Sequence, residues 1–209
     1  MVRSLALTAG LAVLLASPVQ GQVSITISPF VGGYLPLANV LENIPLGGRT
    51  VANVSHKPGL LLGGRLAIRK LKFGIEAEAG YALSNVDLPS QVTDAGVPDD
   101  ANVFLGSLNI TYDVFQAPFT PLAFYISGGV GLVSRSGDFY RNFQNTTDPA
   151  GALGVGVRFG LGPNARLRFD LRDYIYSFQA SRGDAQQESK LQNDLIITVG
   201  VDFTFTPAR

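Results

Sequence analysis

The stretch Arg166-Leu167-Arg168-Phe169-Asp170-Leu171-Arg172 alternates charge with apolar bulk at every step. Successive side chains of a β-strand point to opposite faces, so this run has one wholly charged face and one wholly apolar face. The same period of two governs the chain on either side. It marks segments at Val23 to Leu35, Gly59 to Arg69, Lys72 to Leu83, Val103 to Phe115, Leu122 to Val133, Gly151 to Leu161 and Asp194 to Phe205, with the quoted run inside Ala165 to Phe178. At about 3.3 Å per residue and a tilt near 40°, segments of this length cross a hydrocarbon layer. Glycines sit inside them, as at Gly128-Gly129 and Gly154-Val155-Gly156. Such glycines weaken an ordinary sheet, but in a narrow barrel they make room for facing side chains.

The gaps between segments are sorted by length. Lys70-Leu71, Gln116 to Pro121 and Gly162-Pro163-Asn164 are tight, whereas Pro36 to Pro58, Ser84 to Asn102, Ser134 to Ala150 and Gln179 to Asn193 are long and polar. Long and short gaps alternate. Strand parity therefore puts every long loop at one rim and every short turn at the other, as in an outer-membrane barrel. The expected fold is all-β: an eight-stranded antiparallel up-and-down transmembrane barrel closing first strand to last.

Composition agrees. The 209-residue chain has 16 Lys+Arg against 16 Asp+Glu, so no basic footprint for nucleic acid exists. It has no Cys, which excludes thiolate nucleophiles, zinc-thiolate and iron-sulfur sites and disulfide staples. Charged residues reach only 15% while hydrophobic residues reach 46%, which suits an apolar exterior better than a soluble domain with about 25% charge. Residues 1–21 read as an export leader with basic Arg3, an apolar run from Leu5 to Ala16, and Val19 and Gly21 at the −3 and −1 positions. Cleavage is expected after Gly21, leaving residues 22–209 as one barrel domain.

One parity of the segments is free of charge: Leu60, Leu62, Leu66 and Ile68, Phe104, Leu108 and Ile110, Leu195, Ile197 and Val199, and their counterparts elsewhere. This parity is assigned to lipid. The other collects Arg65, Arg69, Glu76, Glu78, Asp113, Arg158, Arg166, Arg168, Asp170, Arg172 and Asp202, which define a polar lumen. Folding the hairpins sets Arg65 opposite Glu76, Arg158 near Arg168 and one step from Asp170, and Arg166 and Arg168 near Asp202. Unpaired ions in a narrow lumen are costly, so an interlocking network that plugs the barrel is expected. Asp173 breaks the pattern. Either a β-bulge near Arg172-Asp173 turns Tyr174, Tyr176 and Phe178 outward as an aromatic belt, or Asp173 stands above the hydrocarbon. Pro29 leaves the direction of Phe30 to Tyr34 similarly open.

The sequence resembles the small eight-stranded outer-membrane barrels, the superfamily that includes the OmpA membrane domain and OmpW. The carriers are the leader, Pro29 to Tyr34, Gly154 to Gly160 before a short turn, Arg168 to Tyr174, and the aromatic final run Val201 to Phe205. The resemblance implies a bacterial outer-membrane location. It also implies contact with outer-membrane lipid and lipopolysaccharide, and delivery by the outer-membrane assembly machinery.

Some small barrels modify lipid A with a Ser/His/acid set, so His56, Ser55, Asp87, Asp94, Asp99, Asp100 and Ser134 require weighing. Ser55 adjoins His56 in sequence, where its oxygen is badly placed for a triad, and His56 is read as a solvated loop residue. Asp94 and Asp99-Asp100 lack the ordered spacing of a calcium loop. The glycines open no helix, so no phosphate-binding motif is present. The reading is a monomeric, non-enzymatic barrel without metal or cofactor, acting in envelope structure or surface contact through four external loops. A narrow pore for small or apolar solutes comes second, a lipid-modifying enzyme third and a soluble calycin-like barrel fourth.

Overall fold

The computed structural model describes residues 22–37, 39–41, 45–46, 49–50, 54–87, 99–117, 120–141, 146–178, 181–182, 185–186 and 190–206. The expected leader at 1–21, Asp94 and residues 207–209 lie outside them. Eight long strands form the barrel: β1 (Val23–Pro36), β2 (Gly59–Lys70), β3 (Phe73–Leu83), β4 (Asn102–Gln116), β5 (Leu122–Ser136), β6 (Thr147–Gly160), β7 (Ala165–Phe178) and β8 (Lys190–Phe205). Each is antiparallel to its sequence neighbours, and β1 pairs with β8 to close the ring. Closure leaves no free sheet edge, as a hydrocarbon environment demands.

The external ends of β5, β6 and β8 run a few residues beyond the apolar pattern. Backbone pairing continues there without apolar side chains, so the ladder outlasts the lipid-facing belt. Beyond the rim, Asn39–Leu41, Val54–His56 and Val86–Asp87 form a small three-stranded sheet from the first two long connections.

Alternation sorts the side chains inside out. Leu66, Ile68, Phe73, Ile110, Val130, Leu153 and Ile197 are among the large apolar groups exposed on the outer wall, while Arg158, Arg168, Arg172 and Glu76 are fully buried within. A soluble barrel would reverse the two faces, since contiguous apolar surface of this extent is not stable in water.

One local expectation changes, and two alternatives left open are decided. The β2–β3 turn is Leu71-Lys72, with Leu71 in the left-handed region at φ 57°, and β2 continues through Lys70, which pairs with Phe73. The register is therefore two residues away from the one expected, and Glu78 rather than Glu76 faces Arg65. No bulge forms at Arg172-Asp173. β7 keeps register through Phe178, and Tyr174 and Tyr176 turn inward because their hydroxyls find carboxylate partners there. The barrel's register shift lies instead between Phe124 and Tyr125 opposite β4, so that Val114 and Phe115 both face outward. In β1, Phe30 and Tyr34 point inward.

The topology is open to direct test. Protease added outside intact cells should cut only within about 40–56, 85–100, 136–148 and 180–190, the regions beyond the long-loop rim. Cleavage at Lys70 under those conditions would invert the orientation.

Candidate functional site

The lumen is layered. Its half nearer the short turns holds Arg65, Arg69, Arg158, Arg168 and Arg172 against Glu76, Glu78, Asp113, Asp170 and Asp202, so the formal charges cancel. The central pair crosses the barrel. Arg168 on β7 grips Glu76 on β3 with Nη1 to Oε2 at 2.5 Å and Nη2 to Oε1 at 3.0 Å. Such a bidentate fork matches the planar guanidinium to the carboxylate. Arg172 Nη2 donates to the same Oε1 at 3.0 Å, and its Nη1 stands 2.9 Å from Glu78.

The rest of the layer interlocks with this pair. Arg65 donates from Nε to Glu78, stands 3.9 Å from Glu76, and donates from Nη2 to Thr198 at 2.8 Å. Asp170 accepts from Arg168 Nε at 2.8 Å and from the Tyr125 hydroxyl. Asp113 bridges Arg69 at 2.6 Å and Arg158 at 2.7 Å. Asp202 takes the Ser28 hydroxyl at 2.6 Å and lies 3.3 Å from Arg158 and 3.8 Å from Arg168. Aromatic faces complete the packing, with the Arg158 guanidinium 3.7 Å from the Tyr125 ring centre and that of Arg65 4.1 Å from the Phe30 ring centre. A Cβ at Gly156 would run into Tyr125, which is why that strand position is bare.

Arg166 is the exception among the expected lumen residues. It pairs with Asp202 in backbone register, yet it is exposed at the short-turn rim and makes no ion pair among the described residues. Arg158 and Arg168 already hold Asp202, and water solvates Arg166 at no cost.

The half nearer the long loops is mostly apolar inside: Leu61, Val103, Leu105, Val133 and Ile196 join Tyr34, Tyr174 and Tyr176 in one buried cluster. Sequence reasoning missed it. Its only signals were unbroken apolar runs such as Leu60-Leu61-Leu62 and Leu195-Ile196-Ile197, which occur where both faces of a strand are dry. Polar contacts between neighbouring strands accompany it. Arg135 donates to Asp148 at 2.7 Å and Tyr176 donates to Asp194 at 2.8 Å.

His56 caps this layer and is buried, contrary to the solvated loop residue expected. Its Nε2 lies 2.6 Å from the Tyr140 hydroxyl, its ring stacks on Tyr140 at 5.7 Å, and Tyr34 meets it edge-on at 6.1 Å. Tyr140 is carried there by the short turn Asp138–Tyr140. Gly137, at φ 109°, brings the chain against Asp100, where the Phe139 amide donates to the Asp100 carbonyl. The groups weighed as triad partners lie elsewhere: Asp87 is 3.5 Å from Lys57, Asp100 accepts from Asn102, and Ser134 meets Thr147. Asp99 and Asp100 are exposed, and no cluster of three metal-ligating groups occurs among the described residues.

The geometry defines a class: an integral membrane β-barrel, apolar outside, with paired charge filling one half of its lumen and an apolar cluster the other. The family model for the outer membrane protein beta-barrel domain matches residues 9–205, and the chain belongs to that family. No curated protein sequence matches it. Among solved structures, the outer membrane protein OprG from Pseudomonas aeruginosa superposes with a TM-score of 0.62 at 14% identity, covering 89% of this chain and 97% of that one. Neisserial surface protein A gives 0.56 at 14%, covering 88% and 97%. AlkL, solved in DMPC bilayers, gives 0.56 at 18%, covering 93% and 94%. At these identities the likeness is one of fold.

Two predictions follow from the layers. Glu76→Ala strands Arg168 and Arg172 and should cost about 3–5 kcal/mol in denaturant unfolding from lipid vesicles, whereas Arg166→Ala should stay within about 0.5 kcal/mol. In the same assay Arg65→Ala with Glu78→Ala should cost less than the sum of the singles; additive small losses would mean a wet lumen.

The second concerns His56, which lies beyond the membrane-spanning ladder. Burial, then the Arg135 charge, pushes its pKa down to about 3 from 6.5. The opened mouth therefore takes up a proton before the closed one does. Closure is at full strength above pH 6.5 and weakens as pH falls toward 3, by up to about 1.4 kcal/mol per pH unit. Protection factors of the Val86 and Tyr140 amides, corrected for the pH dependence of intrinsic exchange, should fall over that range, and His56→Gln should flatten the dependence.

Proposed function

We propose that the protein is a non-conducting, non-enzymatic outer-membrane barrel that serves the envelope and meets partners through its four long loops. The observation that carries this reading is the Glu76–Arg168 fork. It joins opposite walls inside a charge-balanced layer, so these ions are held by one another across the lumen. At the mouth His56 Nε2 is engaged by Tyr140, and among the described residues no acid orients its Nδ1 as a catalytic triad requires. A leader at 1–21, removed after Gly21, delivers the chain for export, and lipopolysaccharide and lipid surround the mature barrel.

The apolar lining of the outer half favours a second reading, a pathway for small apolar solutes. It requires both the His56–Tyr140 cap and the charged layer to give way.

Purified protein in planar bilayers separates the two. The wild type should give no discrete current steps at neutral pH, and Glu76→Ala/Arg168→Ala should give a small ohmic leak. Steps from the wild type would put the solute pathway first.

A further inference from the structure

On the outer face of β2 the apolar series Leu60, Leu62, Leu66, Ile68 ends at Lys70. The ten steps from Leu60 to Lys70 rise about 25 Å at 3.3 Å per residue and 40° tilt, the height of the apolar band. Lys70 therefore marks the depth at which headgroups begin on the short-turn side. Backbone register sets Val23, Lys70, Phe73 and Tyr112 side by side in one outward row across β1 to β4. The row one step deeper is isoleucine throughout, with Ile25, Ile68, Ile75 and Ile110 in register. The Phe73 and Tyr112 rings pack together at 4.8 Å beside the lysine, as aromatic side chains do at a membrane interface.

Charge at this rim has one sign. Lys72, exposed in the β2–β3 turn, adds a second ammonium next to Lys70. The acids at this end of the barrel, Asp113 and Asp202, are buried in the lumen and held by Arg69, Arg158 and Ser28. No exposed acid lies in the short turns among the described residues, whereas the opposite rim mixes Asp87, Asp99, Asp100 and Asp138 with Lys57 and Arg141. We infer that the patch on β1 to β4 binds one anionic phospholipid of the leaflet that faces the short turns. Its phosphate lies on the Lys70 and Lys72 ammonium groups, with the Tyr112 hydroxyl as a further donor, and an acyl chain lies over the isoleucine row. Apolar area would hold any lipid; the lysines select a head of net negative charge, because they repel the cation of a zwitterionic one. The inference rests on the membrane placement of the outer wall under the proposed function and is independent of whether the lumen conducts.

The chain contains no Trp, so Ile75→Trp in the full mature chain places a single fluorescent reporter in the patch. In phosphatidylcholine vesicles, its quenching by brominated phosphatidylglycerol against brominated phosphatidylcholine reads the relative affinity at that place. Phosphatidylglycerol should be favoured about fivefold or more, the scale of one cation beside an anionic surface. Salt at 1 M, where charges are screened within about 3 Å, should bring the ratio toward one. Lys70→Gln/Lys72→Gln should bring it to about one without added salt. Equal quenching by the two lipids with both lysines present would overturn the site, as would a preference that survives Lys70→Gln/Lys72→Gln in protein with the gel mobility of the folded barrel. Quenching by neither lipid would overturn the membrane placement itself.

Discussion

Glu76 and Arg168 stand on opposite walls of the barrel, and the two hydrogen bonds between them span a space that eight strands leave only wide enough for side chains. Neither ion is tolerable there alone, since a desolvated charge costs far more than one surface contact returns. The remaining inner residues complete what this pair leaves open. Arg172 satisfies the second lone pair of Glu76 Oε1, Asp170 takes the Nε of Arg168, and Glu78 takes Arg65. Tyr125 lies flat against two guanidinium groups, and Gly156 makes that position available to it. Five positive and five negative groups cancel within one layer, so it presents no net field to attract ions.

The outer half of the interior is built differently, and this bears on dynamics. Its cohesion comes from apolar contact and from tyrosine hydroxyls, with single polar contacts such as Arg135 to Asp148 in place of a lattice. The closing contact is local: one histidine on one tyrosine, carried by a three-residue turn whose entry requires the left-handed glycine Gly137. A cap of this kind opens at lower free energy than the charged layer below it, which makes the mouth the responsive end.

The outer wall poses the inverse problem. Its side chains are selected for lipid, so each polar group there needs a partner. Most polar groups cluster at the rims, where headgroups and water serve. Asp173 interrupts the apolar series of β7, and Asn193 on the neighbouring β8 donates to it.

Much of this was legible in the chain. The alternation of Arg166 to Arg172, repeated in the other segments, determined that the protein is a barrel with charge inside and lipid outside, because side-chain direction in a strand has a strict period of two. The alternating gap lengths determined strand count, closure and which rim bears the loops. Only the tertiary structure decided which charges meet. Hairpin folding relates neighbouring strands alone, and even there the choice of Leu71-Lys72 for the turn moved Arg65 from Glu76 to Glu78. The Glu76–Arg168 contact between β3 and β7 depends on closure and on the stagger of the whole ring, which no local pattern encodes. For the same reason His56 read as a solvated loop residue. Its burial comes from Tyr34 and Tyr140, far away in sequence and brought over it when the barrel closes and the third long connection folds across the mouth.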